Sequence, residues 1–492
     1  MQNEALIDKR VVGFALFGFL MHEVLSLAAY TYPVVNMLVL AFAVGVIGFL
    51  LARDMRWSMV LGMAELAWGS FGSSFSWHLG GFPLSLRMLL FGLSIIFFVY
   101  HTARTRSFQR FRSTESMLFI VLAIVTVWGF IQGVVQGQPL ISVFLDGNAY
   151  VFILYFLIWR SAFHASDIPF VGSVLVAAAI GLSAKTLLLF NFFANGYELA
   201  NLTYLYIWVR DTRIGEITYA GGNVWRIFIQ SQIYIGLALL FSLAQVIRSL
   251  RVRWVDAALL TLYCAAIIVS LSRSFWIGLA ACTVVLLIAV RRSWVTRMRD
   301  FLKVLLKLLG ISVASVALVL LLVLLPFGGR GVGASLIDRI GAEDPSGISR
   351  IQMLGPLTSA IMEHPILGSG FGREVTYQSS DPRYKNPLNP EGTITTFAFE
   401  WGYLDQWLKL GAIAGSLFVA VLIAVHVRGW RLVQRKIDGA PYVMLFLLGL
   451  LFVASVHMVS PYLNHPLGLG YLVFGMVMIE YCSQRAYEKI DH

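Results

Sequence analysis

His364-Pro365-Ile366-Leu367-Gly368-Ser369-Gly370-Phe371-Gly372 opens the stretch of this chain in which turn formers and polar residues are most concentrated. A hydrophilic segment follows, and apolar sequence returns at Thr396 with Phe399-Glu400-Trp401-Gly402-Tyr403-Leu404-Asp405-Gln406-Trp407. The surrounding sequence is greasy: 58% of 492 residues are hydrophobic, 13% are charged, and mean hydropathy is +0.78. Soluble domains carry about a quarter of their residues as charged side chains. A much lower share, with recurring apolar runs of about 20 residues, predicts an all-α, polytopic transmembrane helical bundle.

Working outward from that stretch, about 14 (12–14) spans are expected, at roughly 11–30, 33–52, 57–77, 84–101, 115–135, 144–160, 168–190, 224–246, 255–271, 274–290, 304–326, 396–426, 441–459 and 465–482. The organisation is then N-terminal transmembrane helices over 1–190, a first outer loop at 191–223, and further helices with a Ser-Arg turn over 224–326. A large outer loop at 327–395 separates the eleventh and twelfth helices, and C-terminal helices fill 396–492. The segment 396–426 is too long for one perpendicular crossing, so it is expected to begin as an amphipathic outer piece and become spanning near Leu410. Asp8-Lys9-Arg10 has the charge of a signal-peptide start, but no small-residue cleavage site follows, and a retained first helix is expected. Cys264, Cys282 and Cys482 fall within apolar runs without disulfide or metal-ligand spacing, and are read as small core residues.

Charge orients the bundle. Formal net charge is +11, and its arginine-rich tracts (Arg104 to Arg112, Arg248 to Arg253, Arg291 to Lys303, Arg428 to Lys436) alternate with poorly charged turns. With fourteen spans every tract falls on one side together with both termini, and the positive-inside rule makes that side cytoplasmic. Topology and anionic membrane lipids account for these tracts, which assigns no nucleic-acid partner. The loops 191–223 and 327–395 then face outward.

Against that background two arginines stand out. Arg273, in Ser270-Leu271-Ser272-Arg273-Ser274-Phe275-Trp276, sits in apolar sequence at the outer boundary, where a charge is costly unless paired or hydrated. Arg226, in Gly222-Asn223-Val224-Trp225-Arg226, is expected to open the eighth helix from the same side. Two planar guanidiniums there suit a pyrophosphate, while snorkelling to lipid phosphates explains them equally well. Within the spans, Glu65, Arg87 and Lys185 either pair or line a watered cavity, and His22-Glu23 reads as a buried polar pair.

Ser272-Arg273 in a short turn, Arg350 ahead of the His364–Gly372 stretch, and the segment ending Leu410-Gly411-Ala412-Ile413-Ala414-Gly415 together resemble the O-antigen ligase and polymerase superfamily, over roughly 220–430. The resemblance implies an inner-membrane glycosyltransferase of the GT-C type. Its donor is an undecaprenyl-pyrophosphate-linked glycan, and at the periplasmic face it joins that glycan to an acceptor hydroxyl with no nucleotide sugar and no metal or other cofactor. In the ligases a histidine followed by asparagine heads the segment after the large loop. Here Glu400-Trp401 stands in that place, which looks more like the polymerase branch and implies a chain-length regulator as partner.

Such a transfer must neutralise charge accumulating on a phosphate leaving group and remove a proton from a sugar hydroxyl. Arg226, Arg273 and Arg350 are the candidates for the first task; for the second, Glu400 is preferred, with His465 in reserve. Glu400, Tyr403 and Trp407 share a helical face by spacing while Asp405 points elsewhere, and the aromatics suit either sugar faces or an interfacial belt. His364, Gly368, Gly370 and Gly372 are expected to shape the loop, with backbone amides near a phosphate as the alternative. These groups are expected to surround one periplasmic pocket. The competing classes are a ligase for a lipid A–core acceptor, a fourteen-helix flippase or carrier, and a structural subunit. Against a carrier stand the absence of a convincing internal repeat and the asymmetric placing of the large loop.

Overall fold

The computed structural model describes residues 7–79, 82–106, 111–196, 201–221, 224–249, 252–293, 298–325, 345–381, 384–385, 387–437 and 439–488. Helices occupy the predicted apolar runs, and the protein is a multi-pass helical membrane protein. Among the described residues ten helices are long and apolar enough to cross a membrane, or eleven if the bent pair Leu140–Gly147 and Tyr150–Ala162 forms one span. Trp254–Ser270 and Arg273–Ile288 are shorter apolar helices.

Two expected spans take another form. The run 57–77 is helical only as Arg56–Gly69, because Ser70 (φ 52°) and Gly72 (φ 85°) leave helical space, and residues Ser76–Leu79 then pair with Phe82–Ser85. The run from 224 begins as a strand, Val224–Ile229, antiparallel to Gly215–Gly221; the helix starts at Ile233. Its Val, Trp, Ile and Phe residues prefer a pleated surface when a partner strand is at hand. A third hairpin pairs Val375–Gln378 with Thr393–Thr396, so the bundle is not wholly α.

The chain forms two compact units, Met1–Phe108 with Ile158–Ile340, and Gln109–Leu157 with Gly341–His492. At the centre of the first lies Asp167–Asn195, whose Ala177, Ala178, Ala179 and Leu182 are fully buried. Small residues let neighbours approach closely; a Cβ on Gly181 would overlap the ring of Phe19. The amide of Asn191 donates to the carbonyls of Leu322 and Leu325 at 2.7 and 2.9 Å, satisfying the end of the helix Met298–Leu324.

The charges inside the first unit are paired. Arg87 Nε donates to Glu65 Oε2 at 2.5 Å and Arg87 Nη2 to the Ser70 carbonyl at 2.6 Å. Lys185 pairs with Glu23, beside which His22 Nδ1 lies 3.4 Å away, and the Lys185 ammonium sits 4.7 Å from the centre of the Trp208 ring. Removing one partner of a buried pair strands the other. Glu65→Leu is therefore expected to destabilise the protein by about 3–5 kcal/mol, read as a lowered melting temperature in detergent; an unchanged melt removes the pair from the core.

In the second unit Thr114–Val135 packs along Gly402–Gln434, beside Ala440–His457 and Pro466–Glu488. Arg428 donates from Nε to Glu115 at 3.1 Å and from Nη2 to Ser483 at 2.6 Å. The helix Gly402–Gln434 is broken at Gly411 (φ 74°, ψ 175°), one residue past the point where its character was expected to change.

Candidate active site

A break inside a helix leaves carbonyls without partners on one side and N–H groups on the other. The loop 364–372 fills this one. Ser369 and Gly370 donate their backbone N–H to the carbonyls of Leu408 and Lys409 at 2.7 and 2.9 Å. The carbonyls of Pro365 and Ile366 accept from Ala412 and Ile413 at 2.9 and 3.3 Å. Two indoles clasp the loop from outside, Trp407 Nε1 on the Pro365 carbonyl and Trp128 Nε1 on that of Leu367, both at 2.9 Å.

Threading a loop through a helix at this range demands glycine. Gly368, Gly370 and Gly372 have φ of 79°, 80° and 83°, the left-handed region that L side chains avoid. A Cβ on Gly370 would collide with the backbone of Gly133, and one on Gly372 would stand 2.6 Å from the amide nitrogen of Val143. All backbone N–H groups from 368 to 372 donate within the protein: Gly368 to His364, Phe371 to Gly129 and Gly372 to Asp146 Oδ2, besides Ser369 and Gly370. With those donors engaged, the loop acts through its shape. Phe371, fully buried, fixes it by packing on Phe130 and Tyr150, with ring centroids 5.1 and 5.0 Å away. His364 is exposed, and its carbonyl closes the turn.

Either side of this loop the chain builds a small subdomain. Pro345–Glu363 packs Met353, Leu357 and Ile361 against Val375 and Tyr377 of the hairpin and against Phe399 and Leu408. This packing brings Arg350 to Glu400 as an ion pair, and the Trp401 indole donates to the Arg350 carbonyl at 3.0 Å. Glu400 precedes the helix that begins at Gly402, so the shared helical face expected for Glu400, Tyr403 and Trp407 does not extend to the acid. Tyr403 turns inward, its hydroxyl on the Ala454 carbonyl at 3.0 Å and its ring edge-to-face with His457, whereas Trp407 is exposed. His465 immediately precedes the helix Pro466–Glu488, with Nδ1 accepting from Leu467 N–H at 3.3 Å.

In the first unit the structure sets Arg226 on the strand Val224–Ile229, not on a helix, because that strand pairs with Gly215–Gly221. Its Nε donates to the Ser270 carbonyl at 3.1 Å, Nη1 lies 3.4 Å from Glu216, and the guanidinium sits 4.9 Å from the centre of the Phe228 ring. Ser270 leads into the turn that ends at Arg273. Leu271 there is left-handed (φ 47°), Ser272 accepts from the N–H groups of Phe275 and Trp276, and exposed Arg273 is the first residue of the helix Arg273–Ser293. Arg226 thus caps the last carbonyl of the helix Trp254–Ser270, and Arg273 opens the next helix three residues on, where the N-terminal dipole adds to its positive potential.

Of the expected loops and basic tracts, Arg110, Asn223, Arg251 and the segment 326–344 lie outside the described residues. Sequence reasoning passed over buried Lys409 and half-buried Asp146, joined at 2.6 Å. The signal was there: each is an ionisable residue in an apolar run, the kind that must find a partner.

Residues 257–419 match the protein-family model described as O-antigen ligase. No curated protein and no solved structure matches the chain. The matched residues hold the Ser-Arg turn, Arg350, the glycine loop, Glu400 and the helix break. The match supports the resemblance of this multi-pass helical membrane protein to the O-antigen ligase and polymerase superfamily.

Proposed function

We propose that the protein polymerises undecaprenyl-pyrophosphate-linked oligosaccharide repeat units, as a metal-independent glycosyltransferase of the GT-C type in the bacterial inner membrane. Its active groups then face the periplasm and both termini the cytoplasm. The observation that carries this reading is the contact from Arg226 to the Ser270 carbonyl, which sets one guanidinium against the turn bearing a second at a helix N-terminus. That is a pattern suited to a pyrophosphate: planar donors, permanent positive charge and an aligned backbone dipole.

In the proposed reaction an acceptor hydroxyl oxygen attacks the anomeric carbon of the donor glycan. The bond from that carbon to the phosphate oxygen breaks with its electron pair, releasing undecaprenyl pyrophosphate, and the hydroxyl proton passes to the Glu400 carboxylate. Arg226 and Arg273 neutralise the departing pyrophosphate. Arg350, paired with Glu400, orients the acid and is a third candidate for holding phosphate; His465 is the alternative base. A carboxylate in place of the ligases' histidine favours polymerisation over transfer to a lipid A–core acceptor.

Purified protein in detergent, supplied with undecaprenyl-pyrophosphate repeat units alone, is expected to yield longer glycans with no nucleotide sugar and no added metal. Product formed only when a lipid A–core acceptor is present would make the protein a ligase. Movement of the lipid across vesicles without a new glycosidic bond would make it a carrier.

A further inference from the structure

A cluster of buried charge lies under the helix break, and the transfer chemistry just described makes no use of it. The Lys409 ammonium, on a side chain 2% exposed, lies 2.6 Å from Asp146 Oδ1 and 2.6 Å from Asp405 Oδ1. Asp146 Oδ2 accepts the Gly372 backbone N–H at 2.8 Å. Asp405 Oδ2 accepts from the side-chain amide of Asn464, whose own oxygen accepts the Tyr150 hydroxyl at 2.8 Å. The ammonium also faces Phe399, 5.8 Å from its ring centre.

Followed outward, these contacts reach the segments that matter. Gly372 ends the loop that fills the break, Phe399 immediately precedes Glu400, and Asn464 immediately precedes His465. A single cation therefore ties together the loop, the approach to the proposed base and the turn before its reserve. Burying two carboxylates is very costly without such a countercharge. If Lys409 is removed, the carboxylates repel each other and must recover water, which pulls those segments apart.

We propose that Lys409 is a positioning residue: through Asp146 and Asp405 it locks the loop 364–372 into the helix break and so sets the placement of Glu400 and of the turn bearing His465. The proposal rests on the reading of the small subdomain as the base side of a glycan transferase, and its test is built so that the lock is measured apart from the chemistry.

The first readout needs no activity. Ser369 is buried in the locked loop, 2% exposed. In a background with Cys264, Cys282 and Cys482 changed to alanine, Ser369→Cys reports loop opening by its rate of reaction with a membrane-impermeant thiol reagent. Lys409→Met is expected to raise that rate about tenfold by local opening. The second readout is transfer: Lys409→Met is expected to lower kcat at least about tenfold, with KM for the lipid-linked donor within about twofold, because phosphate binding is assigned to other residues. The third is an isosteric removal of charge at the other end of the pair. Asp146→Asn keeps an amide oxygen for the Gly372 N–H but loses the charge that holds the ammonium, and is expected to raise labelling and lower kcat by about threefold each.

Unchanged labelling in Lys409→Met overturns the lock whatever the enzyme proves to catalyse. Faster labelling with native kcat overturns the positioning role. If Lys409→Met does not survive purification, Asp146→Asn decides: labelling raised about threefold with lowered kcat supports the proposal, and native labelling overturns it. Full activity in Glu400→Gln is a separate result, which removes the base assignment and leaves the labelling test standing.

Discussion

Gly370→Ala yields little or no folded protein. At φ 80° an alanine is strained by about 1–2 kcal/mol. Its methyl group would also land on the backbone of Gly133, where no side-chain rotamer can move aside. Forcing extra volume into a packed site costs about 1–3 kcal/mol more. The displaced loop then releases the partners of Leu408, Lys409, Ala412 and Ile413, leaving polar backbone where water is scarce. The sum is a large part of a typical stability of about 5–15 kcal/mol. The check is the monodisperse yield and melting temperature in detergent. Gly415→Ala, in the same helix with nothing within 4 Å of the new methyl group, serves as the control and is expected to be neutral or stabilising by up to about 1 kcal/mol. A Gly370→Ala protein melting within about 2 °C of the native one would mean that the loop does not occupy the break as described.

Arg273→Ala and Glu400→Gln fold normally and lose transfer. Arg273 is exposed at the start of its helix and Glu400 lies ahead of the helix Gly402–Gln434, so neither change opens a core. Losing one preorganised donor to developing negative charge lowers kcat by about 10²–10³. Replacing the proposed base by an amide of the same shape is expected to lower it by about 10²–10⁴. The two differ in kind: Arg273→Ala should also weaken binding of a non-reacting pyrophosphate lipid, whereas Glu400→Gln should leave that affinity unchanged. Native turnover in both variants, measured on lipid-linked repeat units, would withdraw the site.

Much of this architecture was readable from apolar periodicity, because hydrocarbon imposes one requirement on every span. The reading failed where two local demands compete. Val224–Ile229 is apolar enough for a helix but β-branched and aromatic enough for a strand, and its pairing with Gly215–Gly221 is a tertiary event that no window of residues contains. Of the candidate site residues, Arg273 was singled out as a costly charge and Arg226 as its neighbour at the outer boundary, and Arg226 reaches the Ser270 carbonyl three residues before Arg273; Arg350 and Glu400 were named separately and form an ion pair. Asp405 was set aside as facing away from the acid, and what it faces is Lys409 and, through it, Asp146, a residue 263 positions before Lys409 in the chain. A partner that distant leaves no spacing to read.

The interruption at Gly411 also bears on how the chain is made. From Ala412 to Gln434 the helix runs about 34 Å at about 1.5 Å per residue, enough on its own for a hydrocarbon layer of about 30 Å. A translocon can therefore accept that segment without help from anything before it. Residues 364–372 have by then already been synthesised, and they settle into the gap as a later step of maturation. Defects in the glycine loop should thus produce chains that are threaded correctly and never finished, a fault visible to membrane proteases and invisible to the insertion machinery.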